Sequence, residues 1–133
     1  MNRLVMDRVD EVLKREDMTV RHFLVLDLLA THEPCSSAEL ARLAHMTAQA
    51  MGEPVKTLER RGLLEKTTSA EDGRALLIQR SALGCETYGR CNRAVMEAEQ
   101  EFFACLHPTE LARVRGSLGL VREMALAKRQ GGE

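Results

Sequence analysis

The sequence predicts a mainly α fold that carries one small β-hairpin. Three observations predict it. Two short helical segments with N-cap signals flank a tight turn between residues 36 and 61. An Asp-Gly turn between strand-forming stretches follows directly, over 63–80. Apolar residues at heptad spacing fill the C-terminal third, and a shorter helical stripe fills the N-terminus. The chain has 133 residues, 44% hydrophobic and 29% charged, the balance of one globular domain with appended helices. Aromatic residues are 3%, so the core must be built from Leu, Val, Met and Ala.

Taken in order, residues 3–15 place Val5, Val9 and Val12 on one helical stripe with Leu4, Met6 and Leu13 beside it. Asp17 or Thr19 can cap a second helix. Its run Phe23, Leu24, Val25, Leu26, Leu28 and Leu29 is apolar nearly all round, which predicts a central buried helix ending at His32-Glu33-Pro34. Ser36-Ser37-Ala38-Glu39 reads as a capping box opening a short helix with Leu40, Leu43 and Ala44 inward. His45-Met46 makes the turn and Thr47 caps the next helix. That helix carries Ala50, Met51, Val55 and Leu58 inward and stops at Gly62 behind Arg60-Arg61.

Strands are expected over 63–68 and 74–80, joined by Ser69-Ala70-Glu71-Asp72-Gly73. Ser81 caps a long helix whose seam is Gly84, Tyr88, Cys91, Val95, Ala98, Phe102 and Cys105. Pro108 opens a last helix, with His107 at its N-cap and a stripe of Leu111, Val114, Leu118, Val121 and Ala125. Each seam residue can serve an intramolecular core or a contact between subunits. Together they offer more apolar surface than a small domain needs, which argues for a dimer.

Several function classes are excluded or disfavoured. No apolar run reaches the ~18 residues that span a bilayer, and residues 1–17 are charged throughout, unlike a secretory signal. A cytoplasmic protein is expected. No glycine-rich phosphate loop, metal-ligand spacing or nucleophile–base arrangement is present, so neither enzyme activity, metal nor cofactor is expected. His22, His32, His45 and His107 are scattered. The four cysteines, at 35, 85, 91 and 105, form no Cys-x-x-Cys pair and read as small buried hydrophobes. As redox candidates, Cys35 is expected to be exposed just before a helix, and Cys85 to lie near a helix N-terminus, where the dipole favours thiolate. Cys91 and Cys105 should be buried.

Two short helices joined by a tight turn, followed by a hairpin, make a winged helix-turn-helix. From Thr19 to Gly84 the chain resembles the MarR family of bacterial transcriptional regulators. The resemblance rests on LERRGLLEK (58–66), AEDGRALL (70–77) with its Asp72-Gly73-Arg74 wing, and SALG (81–84). Arg80 stands where the family pattern has Leu, Ser81 where it has Thr, and Pro54 where it has an aliphatic residue. The resemblance implies an N-terminal dimerisation helix (1–18), a winged DNA-binding domain (19–80) and C-terminal dimerisation helices (81–133). The N-terminal segment is short for the family, which implies a first helix lacking part of its usual length. It further implies a homodimer on a pseudo-palindromic double-stranded DNA operator, released by a small-molecule effector or by thiol oxidation. The competing reading is a winged-helix protein-interaction module without DNA binding.

In the DNA-binding reading the helix from Thr47 to Arg61 enters the major groove. Thr47, Gln49 and Lys56 are candidate contacts, since Gln pairs bidentately with adenine and Lys reaches a phosphate or guanine. Glu53 can accept from a cytosine or serve as a solvated helix charge. Ser36 and Ser37 can offer backbone N–H groups to a phosphate. Arg74 suits a narrow minor groove, or pairs with Asp72 or Glu71. Lys66 can add a phosphate contact from the wing. Against this stand a net charge of only +1 over 36–80, with seven Lys/Arg and six Asp/Glu, and Gly52-Glu53-Pro54 inside the recognition helix. Pro in a helix interior removes a hydrogen bond, so the sequence predicts a bend near Gly52 or a loosely held first turn.

Overall fold

The computed structural model describes residues 2–68 and 76–104. Seven elements run in order: α1 (Asn2–Lys14), α2 (Val20–His32), α3 (Ser37–Leu43), α4 (Ala48–Arg60), β1 (Leu64–Thr68), β2 (Leu76–Arg80) and α5 (Ala82–Ala104). The wing tip 69–75, with Asp72 and Arg74, lies outside the described residues. So do 105–133, with Cys105, His107, Pro108 and the last predicted stripe.

Hydroxyl caps open four of the helices. Thr19, Ser36 and Thr47 Oγ atoms accept the N–H groups of His22, Glu39 and Ala50 at 3.1, 3.1 and 3.0 Å, and Ser81 Oγ accepts from Gly84 N at 3.0 Å. Each bond satisfies a donor that the first turn leaves without a helical partner. At α2 the box is closed by histidine: Thr19 N–H donates to His22 Nδ1 at 3.4 Å. Of the two residues the sequence offered there, Thr19 caps; Asp17 turns the chain instead, with φ 56°.

Three helices end alike. After α1, α3 and α4, the left-handed positions Asp17, His45 and Gly62 (φ 56°, 54° and 76°) turn the chain back. Met18, Met46 and Leu63 then donate to the carbonyls of Leu13, Ala41 and Leu58 at 2.9, 2.8 and 2.9 Å. This is the Schellman termination, which satisfies the last carbonyls.

The core is one apolar cluster. Val9, Val12 and Leu13 of α1, the Phe23–Leu26 run and Leu29 of α2, Leu40 of α3, Met51, Val55 and Leu58 of α4 and Ile78 of β2 join Cys91, Val95 and Ala98 of α5. Of the α5 seam, Cys91, Val95 and Ala98 are therefore buried within one chain, and Tyr88 and Phe102 are partly buried against the same core. For these residues the core reading holds over the intersubunit one.

The wing strands pair antiparallel, Leu64 with Arg80 through Thr68 with Leu76. A third edge, not foreseen, comes from Cys35, whose N–H donates to the Ile78 carbonyl at 3.1 Å and whose carbonyl accepts from Ile78 N at 2.7 Å. This pairing buries Cys35, which is 2% exposed. The sequence had it exposed because a residue after Pro and before a helix reads as loop.

α4 is continuous through Gly52 and Pro54. The loosely held first turn is not found: Thr47 caps it, and the Thr47 carbonyl accepts Met51 N–H at 3.0 Å. Pro54 is fully buried, its ring filling the inward position that an aliphatic side chain would take.

Candidate nucleic-acid interface

α3 and α4 meet at the His45 turn, and α4 presents one solvent face. Its apolar stripe, Met51, Pro54, Val55 and Leu58, faces the core. This leaves Thr47, Gln49, Glu53, Lys56 and Arg60 exposed. Side chains at 49, 53, 56 and 60 fall three and four residues apart, so they line one face. Three of the sequence's candidates on α4, Gln49, Glu53 and Lys56, are thus brought together, with Thr47 at the end of the helix.

Their readiness differs. Lys56 makes no ion pair among the described residues. Glu53 is held on its own helix, its Oε1 accepting the Thr57 hydroxyl at 3.1 Å, and Thr57 Oγ1 in turn accepts from Arg60 at 3.3 Å. Thr47 Oγ1 serves the helix cap. Lys66, on β1, is 3.4 Å from Glu59, so part of its charge is spent within the protein. Ser36 Oγ is used by its cap and Ser37 is half-buried. Beside them Arg42 stands largely exposed, at 4.0 Å from Glu39.

Two groups missed by sequence reasoning tie α4 and the wing to the rest of the chain. Arg61, the C-cap of α4, donates to the carbonyls of Asp17 and Glu16 at 2.6 and 3.2 Å. A cation thus meets the carbonyl-rich end of α1, where the helix dipole favours it. Glu33, the C-cap of α2, receives three bonds from Arg80: from its backbone N–H at 2.9 Å and its guanidinium at 3.1 and 3.0 Å. Burial alone would raise the Glu33 carboxyl, but the Arg80 bonds outweigh it and hold it below its ordinary range. Arg80 in place of the family's Leu was visible in the sequence; its partner 47 residues away was not.

The thiols separate clearly. Burial, then the charges of Glu39 and Glu33, raise the Cys35 pKa, so it stays a thiol. Burial pushes Cys91 up to about 11. Cys85 is exposed in the first turn of α5. Of the two redox candidates only Cys85 keeps the exposure that reactivity needs.

A profile described as the MarR family matches residues 16–75. The HTH-type transcriptional repressor Rv2887 of Mycobacterium tuberculosis is 33% identical over 98 residues, covering 74% of this chain and 70% of that protein. Its crystal structure in complex with salicylic acid matches with a TM-score of 0.69 at 28% identity, covering 87% of this chain and 86% of that one. The apo form of MarR from E. coli matches with a TM-score of 0.76 at 22% identity, covering 90% of each chain. Together, the fold, the capped α3–α4 pair with its hairpin, and the identity with Rv2887 show that this chain belongs to the MarR family of transcriptional regulators.

Proposed function

We infer that the protein is a DNA-binding transcriptional regulator, acting in the cytoplasm as a homodimeric repressor on a pseudo-palindromic operator. The observation that carries this reading is the exposed row Gln49, Lys56 and Arg60 on a rigidly capped α4, within a winged helix-turn-helix. Gln49 reads a base edge, Lys56 meets phosphate or guanine, and Thr47 sits at the end of α4 that enters the groove. The wing adds Lys66 and Arg74. Helices at both ends of the chain supply the dimer contacts. Few free cations on this face mean few phosphate contacts, hence a shallow salt dependence.

Rv2887, crystallised with salicylic acid, supports a small aromatic acid as the class of effector. The test is fluorescence anisotropy with a labelled duplex from the DNA flanking the protein's own gene. Tight binding is expected, weakened by added salicylate. Gln49→Ala should cost about 1–3 kcal/mol and relax specificity at one base pair, while Lys56→Ala should weaken all sequences alike and lower the salt slope by about 1. Absence of binding to any duplex would favour the interaction-module reading.

A further inference from the structure

The wing hairpin is tied to the body at its base by a set of polar and aromatic groups at the edge of the core. Arg80 ends β2, and its side chain is 15% exposed. The three bonds to Glu33 fix both its backbone and its guanidinium. The same guanidinium lies 5.4 Å over the Tyr88 ring of α5. Tyr88 in turn stacks on Phe23 of α2 at 5.5 Å with 20° between planes, and donates its hydroxyl to Asp27. One side chain on β2 is thereby clasped between α2 and α5.

The other ties of the hairpin also lie near its base: Leu64 and Ile78 are buried in the core, Ile78 pairs with Cys35, Lys66 lies 3.4 Å from Glu59, and Ser81 is bonded to the Gly62 and Leu63 carbonyls. Among the described residues of β1, those beyond Leu64 are exposed. Arg74 stands six residues from Arg80, a reach of at most ~20 Å at ~3.3 Å per residue. A tilt of about 10° at the base would carry a group at that reach by roughly 3 Å, more than the width of hydrogen-bonding distances. Wing contacts with DNA therefore need a stiff base. A bidentate Arg–carboxylate fork fixes orientation as well as distance, which a point charge or an apolar contact does not.

We propose that Arg80, through Glu33 and Tyr88, is the positioning residue of the wing: it sets the angle at which the hairpin meets DNA, without touching DNA itself. The proposal rests on the regulator reading above. Its signature is selective coupling. Loss of the clasp removes what the wing contributes and leaves what α4 contributes.

The test uses the full-length protein and the same labelled duplex, with Arg80→Leu, Glu33→Gln, Arg74→Ala and Gln49→Ala, singly and in pairs. Arg80→Leu should weaken binding about tenfold, comparable to loss of one arginine contact, and Glu33→Gln somewhat less. The pair Arg80→Leu with Arg74→Ala should bind no worse than the weaker single variant. The pair Arg80→Leu with Gln49→Ala should lose the product of the two single losses. A merely structural role would lower both contributions together. Unchanged affinity in Arg80→Leu, or full multiplication with Arg74→Ala, would overturn the proposal. Should Arg80→Leu fail to fold, Glu33→Gln carries the same comparison. If the wild-type protein binds no duplex, the regulator reading fails and takes this proposal with it.

Discussion

His22 does a carboxylate's work at the start of α2. Its Nδ1 accepts the Thr19 N–H, which only an unprotonated nitrogen can do. Burial lowers its pKa, with Glu53, Arg61, Arg21 and Asp17 as the charges around it. A folded-state pKa below the unfolded value of about 6.5 means stability is complete above that pH and lost as pH falls through the folded value. The melting temperature should therefore drop between pH 7.5 and 5, and His22→Gln, which accepts without titrating, should flatten that slope. An equal slope in both proteins would refute the assignment. Two glycines sharpen the residue view further. A Cβ on Gly84 would sit 2.0 Å from the Leu63 carbonyl oxygen, whereas one on Gly52 meets nothing within 4 Å. Gly84→Ala should thus cost at least about 1–3 kcal/mol by overpacking. Gly52→Ala should raise stability by up to about 1 kcal/mol. Denaturant melts read both.

At the level of elements, the caps were legible and the pairings were not. Thr19, Ser36, Thr47, Ser81 and Gly62 announce helix ends through chemistry local to three or four residues, so the sequence carries them openly. The buried α2 run was equally plain, because a segment apolar all round has nowhere else to go. Cys35 was misplaced because its burial depends on Ile78, 43 positions further on, and strand pairing leaves no mark on a single edge residue. Pro54 was read for its backbone penalty and not for its ring, which takes an inward, fully buried position on α4. The helix ends also carry a prediction. His45 holds a left-handed conformation that a side chain disfavours by roughly 1–2 kcal/mol. His45→Gly should consequently stabilise the protein, by about 1 kcal/mol after glycine's added chain entropy. A lower melting temperature would show that the imidazole makes a contact of its own.

For the whole molecule, the apolar surplus that suggested a dimer divides in two. The described part of the α5 seam, from Tyr88 to Phe102, is taken up by the core of the same chain. The stripe Leu111, Val114, Leu118, Val121 and Ala125 lies outside the described residues and carries the dimer expectation. Phe102→Asp should therefore damage the fold of the monomer, since Phe102 packs against the core. Leu118→Asp should weaken association first, as a charge placed in a subunit contact. Sedimentation at micromolar concentration should find wild-type dimers and Leu118→Asp monomers that still show the helical signal. A wild-type monomer would remove the dimer from the functional reading. The candidate site was legible as far as residue chemistry reaches: Gln49, Glu53 and Lys56, singled out by type, share one exposed face of α4. Arg61 and the Arg80–Glu33 pair were not, because each joins elements far apart in the chain.

The junction at Ser81 closes a ring. Its hydroxyl donates to the Gly62 carbonyl at 2.6 Å and its N–H donates to the Leu63 carbonyl at 3.0 Å, so the two ends of the intervening hairpin are fastened to each other. With the strands anchored below it, the neck so formed makes the stretch between Thr68 and Leu76 the replaceable part of the wing. Lengthening a loop whose ends are already fixed costs little, about 0.6 kcal/mol for each doubling. A hairpin of different length or sequence, grafted between Thr68 and Leu76, should leave the body intact while redirecting what the tip can touch.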